Sequence, residues 1–245
     1  MDLIGRFHRA CARAAPVKAT PSALAGSVAS LTFDDFPRSA WTAGGPILDA
    51  YGAKATYYVS GRFCGAREDG LDYFEAADLT SLTSAGHELA CHTFSHLNAA
   101  RTPWAQLQAD IAANARFMQD AAGLPPPRNF AYPYGDLSVA SKRRCGDAFR
   151  SSRGIYPGVN RGRLDLGQVR AFPLEARSYD SAVVAAAVRE ASSAPAWLVF
   201  FSHDVSDDPS PYGCTPAMLR TVLDLLRDSA MPVVTVDRAL DLAGV

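Results

Sequence analysis

No two of the five cysteines (Cys11, Cys64, Cys91, Cys145 and Cys214) stand in a CxxC pair. That spacing argues against a zinc knuckle and a redox dithiol. An odd, dispersed set is also a poor disulfide framework and fits a reducing compartment better. No apolar run reaches the length that crosses a bilayer. The first residues, MDLIGRFHRACARAA, lack the apolar core of a signal peptide, so a cytoplasmic protein is expected. A formal net charge of −1 leaves no global field to draw in nucleic acid. No GxGxxG or Walker sequence supports a nucleotide site. Low-complexity stretches, long linkers and internal repeats are absent too.

What is present is a chain of 245 residues, 48% hydrophobic, enough for one large domain with a substantial core. At its start Leu3, Ile4, Phe7, Ala10, Cys11 and Ala14 recur at helical spacing, with Arg6, Arg9 and Arg13 on other faces. Residues 1–25 therefore read as an amphipathic segment, either packed against the domain or lying on a membrane surface. Residues 26–245 read as a single domain. Strands are expected at 28–33, 54–59, 87–92, 128–132, 148–152, 168–172, 196–201 and 232–236. Helices are expected at 104–122, 180–192 and 216–229. Several strands are apolar on both faces, as parallel strands covered by helices must be. The fold class is α/β, a distorted (β/α) barrel of seven or eight strands. A doubly wound open sheet is the alternative.

In such folds chemistry gathers at the C-terminal ends of strands. Asp34 and Asp35 fall there, in SLTFDDFP. So do His92 and His96 after the third strand, Tyr132, Pro133 and Tyr134 after the fourth, and His203 and Asp204 after the seventh. Two adjacent carboxylates at a strand end repel one another and call for a compensating partner. His92 and His96 are four residues apart, so one helical turn would bring both imidazoles to one face. With one carboxylate they make a two-His, one-Asp set that leaves open positions, as a catalytic zinc site does. Iron and cobalt accept the same donors. An isolated HxxxH or DD is ordinarily packing or a solvated turn. Here three of the five histidines and a carboxylate pair fall together at strand ends. His8 and His87 have no such company, and His87 reads as structural.

TFDD at 32–35, HTFSH at 92–96, FAYPYG at 130–135 and FSHDV at 201–205 resemble the ordered motifs of the NodB-homology polysaccharide deacetylases, carbohydrate esterase family 4. The resemblance spans about residues 28 to 240. SHDVSDDPSPYGCTP resembles a bacterial exopolysaccharide-deacetylase subgroup, the holdfast type. The resemblance implies a divalent metal, zinc first, held by Asp35, His92 and His96. It makes Asp34 the general base, the Tyr134 N–H an oxyanion donor and His203 the acid that protonates the departing amine. Phe201 resembles the apolar residue that lines the acetyl-methyl pocket. Two departures stand out. The family's third motif often has an arginine before Tyr-Pro, orienting the base, where this chain has Ala131. The Asp-Trp element of the fourth motif is missing around 170–180. Arg170 is the candidate replacement for the missing arginine.

The expected function is metal-dependent hydrolysis of N-acetyl groups from N-acetylhexosamine units of a bacterial polysaccharide, releasing acetate. The alternatives are an O-acetyl esterase and a glycan-binding pseudoenzyme. The expected partners are an N-acetylated oligosaccharide or polysaccharide, the inner-membrane surface and a second copy of the chain. No nucleic acid is expected.

Overall fold

The computed structural model describes residues 10–12 and 14–245. Seven strands form its parallel sheet: β1 (Val28–Asp35), β2 (Thr56–Val59), β3 (Glu88–Cys91), β4 (Asn129–Ala131), β5 (Ser151–Arg153), β6 (Phe172–Pro173) and β7 (Trp197–Ser202). Their spatial order is β6-β7-β1-β2-β3-β4-β5. Val169 bridges Arg153 at one edge, while Pro173 pairs with Phe201 at the other. The segment between those contacts curls the sheet into a distorted (β/α) half-barrel.

Central strands show why the apolar runs were readable. Every residue of β7, and all of β1 except Asp35, is buried. Helices cover the outer face. Leu219, Val222, Leu223 and Leu226 of helix Pro216–Asp228 join Leu31, Leu198 and Phe200 in the main core. Thr215 caps that helix by accepting from the Met218 N–H, and Pro216 sits in its first turn, where no N–H is needed. Helix Trp104–Ala122 stops at Gly123, whose φ of 65° is a left-handed termination that favours glycine.

Three expected strands change, the one at 168–172 reduced to a bridge at Val169 and the short strand Phe172–Pro173. Residues 232–236 supply only a bridge from Val233 to Ala29. The Thr235 hydroxyl accepts from the Arg238 N–H and starts a helix at Val236 instead. The strand expected at 148–152 lies further along the chain, at Ser151–Arg153. The preceding residues belong to helix Val139–Ala148, begun by a capping box between Ser138 and Ser141. That displacement carries Arg153 to a strand end, where it matters most.

Much of the amphipathic segment expected at 1–25 lies outside the described residues. Its remainder is stitched to the domain. Ala12 is buried against the cluster containing Cys91, Phe130 and Cys145. Ala19–Pro21 pairs antiparallel with Arg163–Asp165. The buried Lys142 ammonium donates to the Ala12 and Ala15 carbonyls and pairs with Asp165 at 2.5 Å. A boundary at residue 25 is therefore not a physical one. Lys142→Met should cost about 2–3 kcal/mol in urea unfolding, below the usual cost of breaking a fully buried pair because Asp165 is partly exposed. A loss under about 0.5 kcal/mol would show that the tie is dispensable.

Candidate active site

Parallel register places the strand ends side by side. Asp35 lies opposite Val59, Val59 opposite Cys91, and Ala131 opposite Arg153. Ser202 lies opposite Phe33, so His203 follows on the same rim. One shallow level of the sheet thus holds Asp34, Asp35, His92, Arg153 and His203.

The two adjacent aspartates have different partners. Asp34 is buried, and the Arg153 guanidinium donates to both of its carboxylate oxygens. Burial alone would raise the Asp34 carboxyl. The Arg153 charge, with His92 and His203, outweighs it and holds the group below the usual carboxylate range. Arg153 is itself locked. Its guanidinium lies between the rings of Tyr58 and Phe201, 5.1 and 5.0 Å from their centroids, and donates to the Gly154 carbonyl at 3.1 Å. Arg170, the expected partner of Asp34, is elsewhere. Its backbone is tied to the Asn160 side chain, and its side chain packs over Gly158. The 168–172 stretch leaves β5 after Val169, so Arg170 does not share the rim. Arg153 and Ala131 are cross-strand neighbours, and the guanidinium missing from position 131 is supplied by the next strand.

Asp35 faces imidazoles. Its Oδ1 is 3.2 Å from His96 Nε2 and 3.6 Å from His92 Nε2. One donor atom from each of these three residues lies within 4.8 Å of the others. His92 Nδ1 bonds the Ala131 carbonyl at 2.9 Å. With the proton on Nδ1, Nε2 is left with its lone pair toward Asp35. Burial pushes the His96 imidazole down to about 4 and lowers His92 as well, so both are neutral, ligand-competent bases. Asp35 Oδ1 is buried with no hydrogen-bond partner. An orphaned carboxylate oxygen beside two lone-pair nitrogens fits a divalent cation.

The HTFSH stretch achieves this without becoming a helix. It is a bend, with φ of 62° at Thr93 and 56° at His96. Asp110, on helix Trp104–Ala122, accepts from the Phe94 and Ser95 N–H groups and the Ser95 hydroxyl. Thr93 Oγ1 accepts from the Leu97 N–H. Asp35 and Tyr134, both with φ of 61°, share the left-handed backbone. Such conformations persist only where the surroundings hold them, and here they cluster at the rim.

The remaining groups line one cleft of about 540 Å³ with these residues. His203 Nε2 is 3.9 Å from Asp35 Oδ2, and its Nδ1 lies 3.3 Å from the Tyr212 carbonyl. That carbonyl is a partner for His203 that the sequence alone does not identify. Asp204 does not enter the cleft. It is fully buried and accepts from the Ser210 N–H and hydroxyl, folding the loop that brings Tyr212 over the site. Tyr134 is 65% exposed, with its ring 4.4 Å from that of His96. Phe201 lines the cleft and also packs on Arg153. His87 is structural, as expected: its Nδ1 accepts from the Ala55 N–H. His8 lies outside the described residues.

Gly135 positions Tyr134. A Cβ there would collide with the Ile155 side chain, and its φ of 61° disfavours any other residue. Gly135→Val should therefore raise KM for a glycan substrate severalfold by moving Tyr134. Unchanged KM and an unchanged Tm would show that the turn yields freely.

Reading the sequence alone missed Arg153, because its strand was placed too early. The available signal was an arginine directly before Gly154, at the end of a β-rich run. Asp110 and Tyr212 were missed for another reason: Asp110 acts on backbone N–H groups of a bend before its helix, and Tyr212 acts through its carbonyl rather than its side chain.

The polysaccharide deacetylase family model matches residues 22–147, just over half of the chain. No curated protein matches in sequence. Among solved structures, a family 4 acetyl xylan esterase from Clostridium thermocellum, in complex with a cobalt ion, is 25% identical, with a TM-score of 0.63 over 89% of this chain and 92% of that one. The Bc1960 peptidoglycan N-acetylglucosamine deacetylase shares the fold at 17% identity and a TM-score of 0.62, over 89% of this chain and 90% of that one. A mutant of BA3943, a family 4 pseudoenzyme, shares it at 14% identity and 0.61, over 93% and 72%. Motifs, half-barrel and family match agree, and the chain belongs to the polysaccharide deacetylase family.

Proposed function

We propose that the protein removes N-acetyl groups from N-acetylhexosamine units of a bacterial polysaccharide, using one divalent cation, zinc first. The observation that carries this reading is the division of labour between Asp34 and Asp35. Arg153 claims one carboxylate, and two imidazoles face the other. Asp35, His92 and His96 would hold the cation, a set suited to zinc, iron or cobalt. When bound there, it supplies a Lewis acid that polarises the acetyl carbonyl and acidifies water.

The chain's own groups do the rest. Asp34, kept ionised and aimed by Arg153, takes the proton of the attacking water. The Tyr134 N–H is the candidate donor to the carbonyl oxygen as negative charge develops. His203 protonates the leaving amine, which departs poorly as an anion. Phe201 presents an apolar wall to the acetyl methyl.

Acetate release from N-acetylglucosamine oligomers, with and without chelator, tests the proposal. Release should fall to background with chelator and return with added zinc or cobalt. Chelator-resistant release would remove the cation from the mechanism. The resemblance to the acetyl xylan esterase favours a second reading, O-deacetylation. Acetylated xylan hydrolysed with N-acetyl oligomers untouched would establish it. A pseudoenzyme that only binds glycan has no use for an ionised Asp34 and a cleft-facing His203.

His203→Ala is expected to lower kcat far more on amides than on esters with good leaving groups, which need no proton. Equal losses on both would take the acid role from His203. We place the reaction in the cytoplasm, on glycan not yet exported. All five cysteines are unpaired, which suits a reducing compartment. Active protein recovered from the periplasm or medium would overturn that placement.

A further inference from the structure

Beside the catalytic cleft, but separate from it, lies a cavity of about 410 Å³ lined by Arg161, Arg163, Arg170, Asn160, Asp165 and Gln168. Asp165, its carboxylate, is already spoken for by the buried Lys142 at 2.5 Å. Arg161 donates to the Glu190 carbonyl and the Ser193 hydroxyl, and Arg163 reaches the Ala19 carbonyl. Among the described residues, none of the three arginines has a salt bridge to a carboxylate. Three like charges on one cavity repel each other, and free side chains would disperse.

The three arginines are exposed, but the Arg161 guanidinium is hydrogen-bonded and the Arg170 backbone is fixed. The Asn160 side chain accepts from the Arg170 N–H at 3.0 Å and donates to the Arg170 carbonyl at 2.9 Å, fixing that backbone at both ends. Asn160 is itself buried. Gly158 makes room for the arginine stem. A Cβ at Gly158 would stand 2.8 Å from Arg170 Cδ and 3.0 Å from its Nη1. Arg161 and Arg163 flank Gly162, at a turn with φ of 67° beside the ribbon strand Arg163–Asp165.

The cavity is connected to the catalytic cleft only through shared wall residues. Tyr134, Gly135 and Ile155 line both that cleft and an intervening pocket, and Tyr156 lines both that pocket and the arginine cavity. Three neighbouring pockets with shared walls thus lead from the candidate cation site to the arginines. Guanidinium groups grip phosphate and carboxylate oxygens through paired hydrogen bonds.

We propose that this cavity is an anion site for the glycan substrate. It would hold a phosphate or carboxylate borne by the sugar chain at a distance from the acetylated unit. The proposal rests on the deacetylase reading and narrows it to anionic glycans.

The test compares three substrates on the full-length, metal-loaded protein: an N-acetylglucosamine oligomer, the same oligomer with a terminal phosphate, and the same with a terminal carboxylate. At low salt an anionic form should have a KM about tenfold below the neutral one, for two charge-assisted contacts. The advantage should shrink in 0.5 M salt. In Arg163→Gln/Arg170→Gln, and in Gly158→Ala, the ratio of anionic to neutral KM should rise toward one. A larger gain for the phosphate form identifies a phosphate ester or a carrier phosphate, and for the carboxylate form a uronate. Acetate release from all three with equal KM would sink the anion site and leave deacetylation standing. If no substrate releases acetate, the deacetylase reading fails. Calorimetric binding of inorganic phosphate then decides separately: binding lost in the double variant upholds the site, and equal or absent binding overturns it.

Discussion

Arg153→Ala should lower kcat by at least 10²-fold while leaving metal content unchanged. The guanidinium touches Asp34 and not Asp35, His92 or His96, so in the proposed mechanism the damage falls on the base. A misaimed base loses rate even with its charge intact, and a displacement of about 1 Å can cost 10²-fold. Truncation also strands a buried carboxylate. Breaking such a pair from one side costs about 3–5 kcal/mol, so unfolding should move as well. Arg153→Lys should recover stability better than rate, because an ammonium neutralises Asp34 without the planar guanidinium that packs on Tyr58 and Phe201 and donates to Gly154. Ala131 offers a sharper control. It is buried directly across the strand pair from Arg153. Ala131→Arg alone should be overpacked and destabilised. Ala131→Arg with Arg153→Ala should regain part of the lost kcat, since the charge then approaches Asp34 from the adjacent strand. An Arg153→Ala enzyme with full kcat would end the positioning role, and a double variant no better than the single would show that the two positions are not interchangeable.

Asp34→Asn and Asp35→Asn should fail in different ways. Asp34→Asn should keep its metal and lose about 10²–10⁴-fold in turnover, the usual worth of a general base, since an amide cannot accept the proton. Asp35→Asn should lose metal and activity together, as should His92→Ala and His96→Ala, because each removes one of only three protein ligands. Elemental analysis without excess ion separates the two classes. Metal retained by Asp35→Asn but stripped from Asp34→Asn would reverse the assignment of the pair. Apo protein provides a readout independent of turnover: cobalt titration should give a tight, saturable absorption change in wild type and Asp34→Asn but not in His96→Ala.

Much of this was legible in the chain itself. Parallel strands buried on both faces must be continuous apolar runs, so β1 and β7 were visible with near-correct bounds. Helix Trp104–Ala122 was read to the residue, and in the structure it ends at the left-handed Gly123. The residues of the candidate site were visible too. Asp34 and Asp35 end β1, His92 and His203 directly follow β3 and β7, and the geometry of parallel sheets puts strand ends on one rim.

The tertiary structure decided what depends on direction and reach. A sequence shows two adjacent aspartates; which one meets an arginine depends on left-handed backbone at Asp35 and on a side chain 119 residues away. Arg153 and Arg170 are chemically identical candidates, and only the register of β5 against β4 puts one beside Asp34 and sends the other to Gly158. The bend at His92–His96 depends on Asp110 from a later helix, and the carbonyl at His203 on a loop folded by Asp204. Composition and period act within a strand or a helical turn, so they set which elements form. Contacts across a hundred residues are set by how those elements pack, and that is what brought Asp34, Arg153 and His203 to one rim.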